Sequence, residues 1–88
     1  MSQIIIDVRE PEEYAASHVA QAINIPPSDL MQGAPQLKDV AKDTKLVVYC
    51  RTGSRSNVAM QILQQLGFTN LVNGINQQQV EARYTTDT

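Results

Sequence analysis

The chain has 88 residues, of which 42% are hydrophobic and 18% charged, and its formal net charge is −2 at pH 7. This length suits one domain with one modest core, and the composition is that of a globular protein. We therefore expect a single domain over residues 1–88, with a frayed tail at 85–88. The slightly acidic balance and the lack of Trp argue against a nucleic-acid partner, which needs basic patches or stacking aromatics.

The sequence holds a single Cys and a single His. Metal sites built on these residues need several of them, so we expect no metal, and no cofactor is expected either. No stretch approaches the ~20 apolar residues of a membrane span, so no membrane partner is expected. The first residues lack the basic start of a signal peptide, and a free thiol favours a reducing compartment. We expect a cytoplasmic protein, or a periplasmic one if a signal peptide has been removed.

The first half of the chain predicts short strands and helices in alternation. A β-branched run at residues 3–8 is typical of a strand buried on both faces. A proline then suits the start of a short helix over 11–17. A second strand is predicted at 22–25, where two prolines end it, followed by a helical turn at 28–31. Another short helix is predicted over 35–41.

The second half begins with the clearest strand, at residues 45–49. Apolar residues then fall at helical spacing on one stripe: Val58, Ala59, Ile62, Leu63 and Leu66. Gly67 is the expected residue just beyond the end of that helix. A last strand at 70–72 and a closing helix at 77–84 complete the pattern. Such alternation predicts a three-layer α/β fold, with a mainly parallel sheet of about four or five strands and helices on both faces.

The single cysteine, Cys50, directly follows the predicted strand at 45–49. In parallel sheets, sites lie beyond the carboxyl ends of the strands. Loop N–H groups, the start of the next helix and two arginines all favour the thiolate, and comparable settings lower a Cys pKa from ~8.5 to roughly 3.5–7.5. A lone Cys is more often a small buried hydrophobe. Its place between a strand and a Gly/Ser/Arg loop nevertheless favours a nucleophile. The loop residues predicted to bind an anionic substrate are Arg51, Thr52, Gly53, Ser54, Arg55 and Ser56.

Three parts of the sequence resemble the rhodanese family of sulfurtransferases. They are DVREPEEY at 7–14 with SHV at 17–19 and AINIP at 22–26, the loop VVYCRTGSRS at 47–56, and NLVNG at 70–74. The chain is similar to the short, single-domain bacterial members of that family, the phage-shock protein E type among them. It departs from the family at Ser17, Gln21 and Asn73, where Gly is usual, and near Gln78, where an aromatic residue is common.

The resemblance implies a rhodanese-like fold and a double displacement at Cys50. The thiolate would take the outer sulfur of a donor such as thiosulfate, and the resulting persulfide would pass it to an external thiol, an acceptor protein, or cyanide in an assay. Three residues of the matched amino-terminal motif, Asp7, Arg9 and His18, are predicted to brace the fold near the loop rather than to act as acids or bases. We expect a monomer or a weak dimer.

Other readings of the Cys50 loop remain open. Cysteine phosphatases use Cys-x5-Arg, whereas Arg55 here lies five residues after Cys50, so the loop is one residue shorter. The shorter loop favours a single sulfur atom over a phosphoryl group. A non-catalytic binding or regulatory module would be marked by loss of the cysteine, which is present. A sulfur carrier serving one partner would retain Cys50 but turn over thiosulfate poorly.

Overall fold

The structure is a computed structural model that describes residues 3–84. Its strands are β1 (Gln3–Asp7), β2 (Ile23–Asn24), β3 (Lys45–Cys50) and β4 (Leu71–Asn76). Its helices are α1 (Pro11–Ala16), α2 (Pro27–Met31), α3 (Ser54–Gln65) and α4 (Gln77–Arg83), with a 3-10 turn at Pro35–Leu37. The tail expected at 85–88 lies outside the described residues. The alternation of strands and helices predicted from the sequence is therefore confirmed.

The four strands form one parallel sheet in the order β2-β1-β3-β4. Side chains of β3 alternate between its two faces. Val48 and Cys50 join a core that includes Leu63 of α3, whereas Val47 and Tyr49 join a core on the other face. That second core includes Val80 of α4 and has Tyr14 of α1 packed against it. Burial on both faces explains the unbroken apolar run of β3, and it gives the three layers predicted from the sequence.

A β-bulge interrupts the pairing of β3 with β4. Val48 pairs with Asn73 but Tyr49 pairs with Ile75, so Gly74 is the extra residue between them. A Cβ on Gly74 would lie 2.5 Å from Cγ2 of Val80, so only glycine lets α4 pack this closely on the sheet. The strand continues past the bulge to Asn76, whereas the sequence predicted a strand at 70–72 alone.

The helices also differ from their predictions in places. The predicted helix over 35–41 is only a single 3-10 turn, Pro35–Leu37. Val58, expected on the buried stripe of α3, is 55% exposed, and Met31, the last residue of α2, is 77% exposed. These two side chains line an apolar groove between α2 and α3. Gly67 does follow the end of α3 with a φ of +104°, as its predicted role requires.

The two ends of the described chain lie together. The side-chain amide of Gln3 donates to the backbone oxygen of Tyr84 at 2.6 Å. Lys45, the register partner of Gln3, places its ammonium 5.3 Å from the centre of the Tyr84 ring. Both strands thus start beside the end of α4, while their carboxyl ends point the other way. Among residues 3–84 there is no helix with the length and apolar character of a membrane span.

Candidate active site

Cys50 is the last residue of β3, and the backbone after it curls around its sulfur. The N–H groups of Gly53 and Ser56 donate to Cys50 Sγ at 3.1 and 3.4 Å. In the thiol form, the S–H donates to the Ser56 hydroxyl oxygen at 3.6 Å. Gly53 reaches this turn with a φ of +93°, a conformation that glycine adopts without steric cost. We call these three groups around Cys50 Sγ the sulfur cradle.

The sulfur cradle stabilises a negative charge on Cys50. Burial alone would raise the pKa of this thiol, since the side chain is almost completely enclosed. Hydrogen bonds from the N–H and hydroxyl of Ser56 and from the N–H groups of Thr52 and Gly53 outweigh burial, and the pKa falls from 9.0 to about 7. These hydrogen bonds therefore favour the thiolate over the thiol at neutral pH.

Asn73 in β4 holds the sulfur cradle from outside, a role that the sequence analysis missed. Its Oδ1 accepts from the Ser56 hydroxyl at 2.7 Å and from the Ile75 N–H at 2.9 Å. Its Nδ2 donates to the Gly53 carbonyl oxygen at 3.1 Å. The sequence marked Asn73 only as a departure from glycine. Asn73 pairs with Val48, which lies two residues before Cys50 in the neighbouring strand. A polar amide at that place in the sheet was the signal that could have indicated its role.

Arg55 is bound to a carboxylate from another layer of the fold. Its guanidinium donates to both oxygens of Glu13, at 2.8 and 3.2 Å, and Arg51 lies 4.0 Å from the same carboxylate. The pair with Arg55 is the main reason that the pKa of Glu13 falls to about 2. No local feature of the sequence marks Glu13 as part of this site. It accepts from the Glu10 N–H at the start of α1, but it also ties α1 to the Cys50 loop.

The remaining predicted substrate contacts lie on the open side of the loop. Thr52 and Ser54 are exposed, and their hydroxyl oxygens are 3.2 Å apart. The Arg51 side chain is 70% exposed. Contact of these residues and of Arg55 with a substrate stays a prediction. Within residues 3–84, no group of three or more His, Cys, Asp or Glu side chains is placed to hold a metal ion.

A buried network braces the end of β3 beside Cys50. Arg9 forms a salt bridge to Asp7 at 2.7 Å and also donates to the Ser17 carbonyl oxygen. The Tyr49 hydroxyl donates to Asp7 Oδ2 at 3.0 Å and accepts from the Val19 N–H at the same distance. Because Tyr49 is the neighbour of Cys50 in β3, this network fixes the backbone from which the loop departs. The geometry suits the supporting role that the sequence analysis gave to Asp7 and Arg9.

His18 is bound to Tyr14 rather than built into this network. Its Nδ1 lies 2.7 Å from the Tyr14 carbonyl oxygen, and the two rings stack with centroids 3.7 Å apart. The residue is exposed and continues the chain just beyond α1. These contacts brace the end of that helix. A role for His18 in supporting the Cys50 loop stays a prediction.

The fold and site define an α/β domain with a buried cysteine at the carboxyl end of a central parallel strand. The rhodanese-like domain family matches this sequence over residues 1–77. The chain therefore belongs to the rhodanese-like family.

Two of the curated relatives are named as thiosulfate sulfurtransferases. The thiosulfate sulfurtransferase PspE of Escherichia coli (strain K12) is 39% identical over 72 residues, covering 77% of this chain and 64% of PspE. A putative mitochondrial thiosulfate sulfurtransferase of Schizosaccharomyces pombe is 36% identical over 84 residues, covering 82% of this chain and 58% of that protein. The chain thus spans somewhat over half the length of each relative.

Solved structures show the same fold. A rhodanese from E. coli, determined with anions, superposes with a TM-score of 0.78 at 34% identity, covering 89% of this chain and 91% of that one. The human single-domain sulfurtransferase TSTD1 has a TM-score of 0.74 at 27% identity, covering 91% and 82%. The three-layer rhodanese fold predicted from the sequence is confirmed.

Proposed function

We propose that this domain is a sulfurtransferase that carries sulfane sulfur as a persulfide on Cys50. The observation that supports this most directly is the sulfur cradle, in which backbone N–H groups and a hydroxyl surround a single buried sulfur. The two N–H donors suit a small anionic sulfur rather than a buried neutral thiol. The names of the two curated relatives point to thiosulfate as the kind of donor.

The proposed reaction has two displacements. The Cys50 thiolate attacks the outer sulfur of thiosulfate, the S–S bond of thiosulfate breaks, and sulfite leaves with the electron pair. The Cys50 persulfide anion then lies against the donors of the sulfur cradle. An acceptor nucleophile attacks its outer sulfur and the Cys50 thiolate leaves. Cyanide would give thiocyanate in an assay, and a thiol or an acceptor protein would serve in a cell.

The acceptor must come from outside this sequence, because Cys50 is its one cysteine. A second thiol would be needed to form an internal disulfide and release the sulfur. A dedicated sulfur carrier is the second candidate on the same observation. It would form the persulfide equally well but turn over poorly with small acceptors.

Phosphatase chemistry is disfavoured by the placement of Arg55. Phosphoryl transfer needs a guanidinium placed against the charge that develops on the phosphoryl oxygens. Arg55 instead donates to both carboxylate oxygens of Glu13. The loop is also one residue shorter than the Cys-x5-Arg spacing. Turnover of a small aryl phosphate at a rate comparable with that of thiosulfate would contradict this choice.

Intact mass spectrometry after incubation with thiosulfate tests the proposal. We expect a gain of about 32 Da, the mass of one sulfur, that a reductant removes. Cys50→Ser is the matched control and should gain nothing, because a serine oxygen cannot carry a persulfide. No mass gain in the unaltered protein would refute the proposal. Steady-state turnover with cyanide then separates an enzyme from a carrier.

A further inference from the structure

The Ser56 hydroxyl has one proton and more than one acceptor within reach. Its oxygen lies 2.7 Å from Asn73 Oδ1, 3.1 Å from the Gly53 carbonyl oxygen and 3.6 Å from Cys50 Sγ. The shortest of these contacts indicates that the Ser56 hydroxyl donates its proton in a hydrogen bond to Asn73 Oδ1. The sulfur then faces a lone pair of the hydroxyl, which suits a thiol donating its S–H but not a thiolate.

The Ser56 hydroxyl can stabilise a thiolate only by rotating away from Asn73. That rotation leaves Asn73 Oδ1 with the hydrogen bond from the Ile75 N–H, at 2.9 Å. Rotation of the Ser56 hydroxyl therefore costs about the free energy of one neutral hydrogen bond between partly buried groups. The amide in β4 therefore competes with the sulfur for the same proton.

We propose that Asn73 is a positioning residue: its Oδ1 holds the hydrogen bond from the Ser56 hydroxyl and keeps that hydroxyl from donating to Cys50. Asn73 thereby restrains ionisation of Cys50. This deepens the proposed function, since it concerns how the same nucleophile is tuned. A thiolate loses nucleophilicity as it becomes more acidic, and the best attacking thiol has a pKa close to the ambient pH. The restraint keeps the sulfur reactive rather than over-stabilised.

Charged groups near the loop do not account for this effect. The loop and α3 contribute Arg51 and Arg55, and α1 contributes Glu13, which is paired with both. The residues of β4, LVNGIN, are uncharged, and so are the side chains of the core that contains Cys50. Substituting Asn73 or Ser56 leaves all of these charges in place.

The test measures the rate of Cys50 alkylation by iodoacetamide against pH. The proteins compared are the unaltered chain, Asn73→Ala, Ser56→Ala and the double variant, each checked for fold by circular dichroism. Below the midpoint pH, we expect Asn73→Ala to react about two- to tenfold faster, the equivalent of one neutral hydrogen bond. In the Ser56→Ala background, the same substitution should change nothing, because the contested proton is gone.

Three results would overturn the proposal. A midpoint pH that rises in Asn73→Ala would show that the amide acts by holding the sulfur cradle in shape. An unchanged midpoint would show no competition, and an equal fall in both backgrounds would show an effect that bypasses Ser56. Asn73→Gly carries the same expectations if the alanine variant does not fold. Alkylation needs no sulfur donor, so these results stand whether or not a persulfide forms.

Discussion

The salt bridge between Glu13 and Arg55 predicts weaker binding of an anionic substrate to the Cys50 loop, because Glu13 already occupies the Arg55 guanidinium. If Arg55 binds the substrate, it must first release Glu13, which it contacts at 2.8 and 3.2 Å. Exchange of the carboxylate for an amide, Glu13→Gln, removes the charge from this contact. The amide oxygen can still accept from the Glu10 N–H, so the start of α1 is retained.

The size of the effect follows from the exposure of the pair. The Arg55 side chain is 37% exposed, so the contact is close to a surface salt bridge. Such pairs contribute ~0.2–1 kcal/mol, which is a factor of about 1.4 to 5 in binding. We expect the KM for thiosulfate to fall by that factor in Glu13→Gln, with kcat nearly unchanged, because the gain is in ground-state binding.

The pH dependence of this prediction is also defined. A carboxyl group with a lowered pKa contributes fully above its ordinary value of 4.5 and loses its contribution only as the pH falls toward about 2. The effect of Glu13→Gln should therefore be constant across the neutral range.

Steady-state kinetics at saturating cyanide provide the measurement. Glu12→Gln is the matched control, since Glu12 is an exposed carboxylate in the same turn of α1 and removes the same charge. An unchanged or increased KM in Glu13→Gln would refute the reasoning. An equal fall in both variants would show a general charge effect rather than release of Arg55.

Three further predictions concern the nucleophile, the histidine and the bulge. Alkylation of Cys50 should be half-maximal near pH 7, and a midpoint at or above ~8.5 would contradict the role of the sulfur cradle. His18→Ala should keep most of its kcat/KM because the ring contacts Tyr14; a large loss with an unchanged circular dichroism spectrum would make it catalytic. Gly74→Ala should lower the free energy of unfolding in urea by about 1–3 kcal/mol through overpacking. Gly33→Ala, whose Cβ meets no atom within 4 Å, should cost only the ~1–2 kcal/mol of its positive φ.

The sequence was informative where structure depends on neighbouring residues. The apolar run before Cys50 had to be a strand, because β-branched residues without alternation suit burial on both faces. Gly67 ended α3 where the helical stripe stopped. The position of Cys50 at the end of a strand then placed it at the edge of the sheet where sites occur. These steps placed Cys50 at the carboxyl end of β3 without any knowledge of the remaining contacts.

The supporting contacts of the site could not be predicted in the same way, because they join distant parts of the chain. Glu13 and Arg55 are 42 residues apart, and Asn73 is 17 residues from Ser56. No local pattern marks either pair. The length of β4 was missed for a related reason, since the Asn-Gly pair at its centre is typical of a turn, and only packing against α4 shows it to be a bulge.

The hydrogen bond from Gln3 to Tyr84 has a consequence for how this domain can be used as a module. Because the two ends of the described chain are adjacent, the domain can be spliced into a surface turn of a host protein through short linkers without stretching either partner. The six residues of β3 separate the junction from the cysteine by about 16 Å along the strand. A host joined there would lie on the side of the domain opposite Cys50 and would leave the exposed residues of its loop, Arg51, Thr52 and Ser54, uncovered.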